Sequence, residues 1–135
     1  MKAKKGYHWQ LPEQHAQVLS DAWRGVYIKT DWFEIDGNAK LIILAKGYAW
    51  DGASGIPDDL KVVRGSAVHD ALYQAMRLGL LDHNKYRLLA DLEFKYICQD
   101  AGMSWLRAQV IYFGVRALAN FAVDPSQESR VVEVP

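Results

Sequence analysis

A histidine held opposite an aspartate on two neighbouring helices can act as a general base, the carboxylate fixing the ring while the ring takes a proton from water. This chain offers such a pair in His69 and Asp91, and both stand in stretches of helical period. Around His69, apolar residues recur at Val68, Leu72, Ala75 and Met76, while His69 and Tyr73 are four apart and share a face. Around Asp91, the residues Tyr86, Leu89, Ala90, Phe94 and Ile97 keep the same period. Between the two lies Gly79, a helix stop, and then Asp82, an N-cap, which together predict an antiparallel helical hairpin. Folding back near Leu80 sets His69 against Asp91 and Tyr73 against Arg87, each pair being equally spaced about the turn. Burying these groups unpaired would cost several kcal/mol. A His69 nitrogen is therefore expected within hydrogen-bonding reach of Asp91.

The elements that must position this hairpin are read from the flanking sequence. Val26 to Phe33 is rich in β-branched and aromatic residues and predicts one strand, Leu41 to Leu44 predicts a second, and Asp36-Gly37 supplies the turn between them. Glu13 to Ser20 is a candidate for an upstream strand. His8, Trp9, His15 and Trp23 match no metal-ligand spacing and read as packing and turn residues. Gly47 to Pro57 forms a loop in which Gly47, Gly52 and Gly55 allow close backbone approach, Asp51 and Ser54 can bond nearby amides, and Trp50 adds an aromatic face. It either presents carbonyls and amides to a ligand or simply ends the sheet in an Asx-type turn.

Asp58-Asp59 and Gly65-Ser66 are two possible helix starts, so the first helix is expected to break near Arg64. Ala101-Gly102 closes the second helix and Ser104 caps a third over Trp105 to Val123, apolar on most sides, with Arg107, Gln109, Arg116 and Asn120 as interruptions. Its two arginines argue against a transmembrane span, since each would cost roughly 2.5–3.5 kcal/mol at a bilayer centre. The expected architecture is one α+β domain over residues 1–135. An N-terminal antiparallel sheet with its loop (1–57) packs against three C-terminal helices (58–125), followed by a tail (126–135) that frays or joins a sheet edge.

Composition sets the outer bounds. Half of the 135 residues are hydrophobic, enough for a core without covalent staples. Sixteen basic residues balance sixteen acidic ones, so the general attraction to nucleic acid or to anionic membrane is missing. The one cysteine, Cys98, falls inside the second helix and is expected to be a buried, inert thiol. Met1 to Lys5 is charged, but Gly6 to Gln17 has no apolar run, so no signal peptide is expected.

Three motifs occur in order: Gly47-Tyr48 through Asp51-Gly52-Ala53-Ser54 and Pro57, then Ala67-Val68-His69-Asp70-Ala71-Leu72-Tyr73, then Arg87, Ala90-Asp91 and Phe94. Together they resemble a numbered phage and prophage family of unknown function, domain-of-unknown-function family 1353. That resemblance implies a bacteriophage origin, a place in the virion or the host cytoplasm, and no established activity. Trp50 and Gly52 depart from the family pattern. A second, local resemblance is to the secreted phospholipases of the A2 class, which carry His-Asp-x-x-Tyr on one helix and an aspartate on the helix behind it. It implies His69 as general base, Asp91 as its orienter and Tyr73 as the hydroxyl that steadies Asp91. It also implies calcium held by Asp70 and by the carbonyls of a loop from Gly52 to Gly55. Those enzymes carry a cysteine beside the histidine and many disulfides, where this chain has Val68 and the lone Cys98. The metal-dependent phosphohydrolases that share a His-Asp doublet need a further helical histidine upstream, and His15 lies in the sheet-like region.

Two functions follow from this reading. One is a structural or interaction protein of the virion or tail, in which His69, Asp91, Tyr73 and Arg87 form a buried network and the partners are other phage proteins or a second copy. The other is a hydrolase with a His69/Asp91 dyad acting on phospholipid or another ester, with membrane lipid as its partner and calcium as its cofactor.

Overall fold

The computed structural model of the protein describes residues 4–5, 9–50 and 60–118. The chain divides after Asp51 into two compact units. The first is made of antiparallel strands and the second of three helices, so the fold class is α+β. The strands are β1 (Lys4–Lys5), β2 (Trp9–Gln10), β3 (His15–Val18), β4 (Tyr27–Lys29), β5 (Phe33–Asp36), β6 (Leu41–Leu44) and β7 (Ala49–Trp50). They form a small sheet ordered β1-β2-β7 and a larger one ordered β3-β6-β5-β4.

In the larger sheet the pleat sorts side chains by burial. Phe33 and Ile35 of β5 pair with Leu44 and Ile42 of β6, and all four are buried, whereas Glu34 and Ile43 between them are only partly so. Ile28 of β4 extends this apolar row opposite Ile35. The stretch from Val26 to Phe33 is not one strand. The Thr30 hydroxyl accepts from the amides of Trp32 and Phe33, both at 3.1 Å, and folds the chain back so that β4 pairs with β5. The hairpin at Asp36-Gly37 is present, closed by residues 37–40, with Asp36 accepting from the Ala39 amide at 3.1 Å. Gly37 is required there by space, since a Cβ would fall 1.6 Å from the Trp23 carbonyl oxygen. The upstream strand exists as β3, and it runs opposite β6.

The helices are α1 (Leu60–Arg77), α2 (His83–Asp100) and α3 (Trp105–Leu118). The first runs unbroken through Arg64 and Gly65, contrary to the expected break. Gly65 serves close packing: a Cβ there would lie 2.8 Å from the Phe94 ring and 3.2 Å from the Cys98 sulfur. Helix α1 ends at Gly79, whose φ is +75°, with Leu80 N–H donating to the Ala75 carbonyl and Gly79 N–H to that of Met76. This paired 6→1 and 5→2 closure is the Schellman motif. Helix α2 ends the same way at Gly102, with Met103 donating to Cys98 and Gly102 to Gln99. Asp82 caps α2 by accepting from the Asn84 amide at 3.0 Å, and Ser104 caps α3 by accepting from Arg107 at 3.3 Å. The expected extension of the third helix to Val123, and the tail from Ser126, lie outside the described residues. No described helix is long and apolar enough to cross a membrane.

Candidate active site

The hairpin of α1 and α2 brings His69 and Asp91 together as their equal spacing about Leu80 requires. His69 Nε2 lies 2.7 Å from Asp91 Oδ1. The Tyr73 hydroxyl, one turn along α1, donates to the same oxygen, and Arg116 Nη1 from α3 donates to Oδ2 at 2.8 Å. Asp91 is fully buried and His69 keeps 7% of its surface. The imidazole is wedged between aromatic rings, with centroids 4.0 Å from Tyr73 and 5.1 Å from Phe94.

The electrostatics follow from these contacts. Burial alone would push the Asp91 carboxyl up, but the bonds from His69, Tyr73 and Arg116 outweigh it and hold the group below the usual aspartate value. An ionised carboxylate only accepts, so His69 Nε2 carries the proton in this bond, and in the neutral ring Nδ1 is then the acceptor. Among the described residues Nδ1 has no hydrogen-bond partner. The Tyr73 hydroxyl is driven far above its ordinary value, first by burial and then by the charge of Asp91 and the bond to it. It therefore serves as a fixed donor across the physiological range.

Other candidates are distributed differently. Arg87, expected opposite Tyr73, bonds neither Tyr73 nor Asp91, and its Nη1 is buried without a hydrogen-bond partner. The guanidinium on Asp91 is that of Arg116, which the sequence marks only as a break in an apolar helix. The usable signal was physical: an arginine beside the inward positions Ala108, Ile111 and Val115 needs an acid to meet. Asp70 is partly buried on α1. Trp50 is buried in β7 and stacked on Trp9 and Tyr48, centroids 6.5 and 6.0 Å away, which makes it a packing residue of the first unit. Asp51, Gly52, Ser54 and Gly55 lie outside the described residues. Among the described residues no three His, Cys, Asp or Glu side chains gather in a way that would hold a metal, and the loop expected to complete a calcium shell around Asp70 lies outside them. Cys98, the single cysteine, is buried, as expected.

Compared with family models, with curated proteins and with solved structures, the chain matches none.

Proposed function

We propose that the chain is a hydrolase in which His69 activates water for attack on an ester carbonyl. The observation that carries this reading is the asymmetry of the imidazole. Nε2 is bound to a carboxylate that is itself held by a tyrosine and an arginine, whereas Nδ1 meets no described partner and the residue retains some exposure. Nδ1 is not among the sealed, unmet nitrogens of the described residues, so water can reach it, as a general base requires.

In the proposed reaction a water donates a proton to Nδ1 as its oxygen adds to the carbonyl carbon. The bond to the alkoxy oxygen then breaks, and the proton on Nδ1 passes to the leaving alcohol. Asp91 stays ionised throughout and stabilises the imidazolium formed in between. Tyr73 and Arg116 keep that carboxylate from turning away. Phospholipid is the substrate class the local resemblance suggests, and calcium would supply polarisation of the carbonyl if Asp70 and the 52–55 loop hold it.

A second reading, a structural or interaction protein of a phage particle, is favoured by Arg116, which already balances the Asp91 charge inside the fold. One variant separates the two. His69→Gln keeps a polar side chain on Asp91 but removes the base. The hydrolase reading expects a loss of ester hydrolysis of about 10²- to 10⁴-fold at near-native stability. A wild type without turnover on soluble esters or phospholipid, joined with a destabilised variant, would leave the structural reading in its place.

A further inference from the structure

Arg87 and Arg116 both act on Tyr73, whose hydroxyl bonds Asp91, and they meet different fates. Arg116 is paired with Asp91 at 2.8 Å. Arg87 lies four residues before Asp91 on α2 and so shares its face, yet it makes no ion pair or hydrogen bond among the described residues, and its Nη1 is sealed from solvent. The residue as a whole is only partly buried, so the rest of its side chain stays within reach of solvent. Its positive charge is close enough to favour ionisation of the Tyr73 hydroxyl, against the stronger opposing effects there. A half-covered guanidinium with a sealed, unmet donor is costly in an apolar setting, and folds that need only stability replace it or pair it. Asp91, the acid on its own helix face, is already claimed by Arg116, Tyr73 and His69.

We infer that Arg87 is an oxyanion-recognition residue, whose guanidinium binds a phosphate or carboxylate group carried by the ester on which His69 acts. The fork of a guanidinium matches both oxyanions with paired N–H donors. Placed one turn from Asp91, it would hold such a group beside the dyad and turn the ester toward Nδ1. The inference rests on the hydrolase reading for its substrate, but its test needs no turnover.

The melting temperature of the full chain is measured in inorganic phosphate and, separately, in acetate, each against sodium chloride of equal ionic strength. Wild type and His69→Gln are expected to gain roughly 3–6 °C at an anion concentration about four times the dissociation constant. Which anion acts tells phosphate from carboxylate. Arg87→Met should fold with an unchanged or raised melting temperature in chloride and bind the anion roughly 10- to 100-fold more weakly, and Arg87→Lys should keep part of the response. No gain in wild type with either anion, or an equal gain in Arg87→Met, overturns the inference. So does a marked fall in the melting temperature of Arg87→Met in chloride, which would make the guanidinium a structural group. An anion response that survives while ester hydrolysis is absent sinks the hydrolase reading alone. Hydrolysis without an anion response sinks this one alone.

Discussion

The strand unit and the helical unit bury different things. In the sheet of β3 to β6 the fully covered side chains are Phe33, Ile35, Ile42 and Leu44, held by apolar contact across paired strands. In the hairpin of α1 and α2 the covered set includes Ser66, His69, Gln74, Asp91 and Glu93, which are all of the buried polar or charged side chains among the described residues. The helices do not lack apolar material, since Val68, Leu72, Met76, Phe94 and Ile97 are buried beside them. Polar burial is therefore concentrated where the chain had the means to avoid it. Such groups add little to stability over well-packed hydrophobic ones, so their concentration marks the place where chemistry or specificity constrains the sequence.

Removing the acceptor at the centre of the helical set should have the largest effect. Asp91→Ala would strand His69, Tyr73 and Arg116 together, and its expected cost is about 3–5 kcal/mol by urea unfolding. A cost below about 1 kcal/mol would mean that the network is decorative and that the contrast with the sheet has no energetic content.

The sheet supplies the matching control. Ile42→Ala removes a fully buried side chain from the row that joins β4, β5 and β6, and should cost about 2–5 kcal/mol through lost transfer energy and the cavity left behind. Because neither Ile42 nor its paired neighbours Gln17 and Ile35 titrate, the loss should be nearly the same at pH 4 and pH 7. A strongly pH-dependent loss would break the comparison.

The smallest expected effect is the pH dependence itself, which sharpens the contrast from the helical side. The carboxyl of Asp91 is held low in the folded state, so its contribution is present above the unfolded aspartate value of about 3.9 and is lost as pH falls through the folded value. Tyr73 is held high, so its contribution is present below the unfolded value of about 10 and is lost as pH rises above it. Stability should accordingly sag at both extremes. In Asp91→Asn the acid limb should flatten, and an unchanged acid limb in that variant would assign it to other carboxylates.

Much of the site was legible without coordinates because its logic is local. Residues equally spaced about a short helix turn lie at the same level of the hairpin, so His69 and Asp91 could be paired by counting, although the same count also paired Tyr73 with Arg87, which do not bond. The caps at Asp82 and Ser104 and the stops at Gly79 and Gly102 follow from the chemistry of helix ends. The strand unit was read less well where one hydroxyl outweighed propensity. Val26 to Phe33 has the composition of a single strand, but the Thr30 oxygen captures two amides and reverses the chain.

What the sequence by itself determined is the α1–α2 hairpin, its dyad, the strand turn at Asp36-Gly37 and the α+β class. Period and end signals are properties of neighbours in the chain, and neighbours in the chain suffice to set them. Three matters were left to the tertiary structure. In β3, His15 and Gln17 are partly covered while Ala16 and Val18 face outward, the reverse of their polarity, because the register with β6 decides which face is covered. Helix α1 continues through Gly65 because Phe94 and Cys98 of α2 need the space that a side chain would fill. Arg116, and not Arg87, reaches Asp91 because the rotation of α3 about its own axis is set by its packing on α2, which no spacing within α3 encodes.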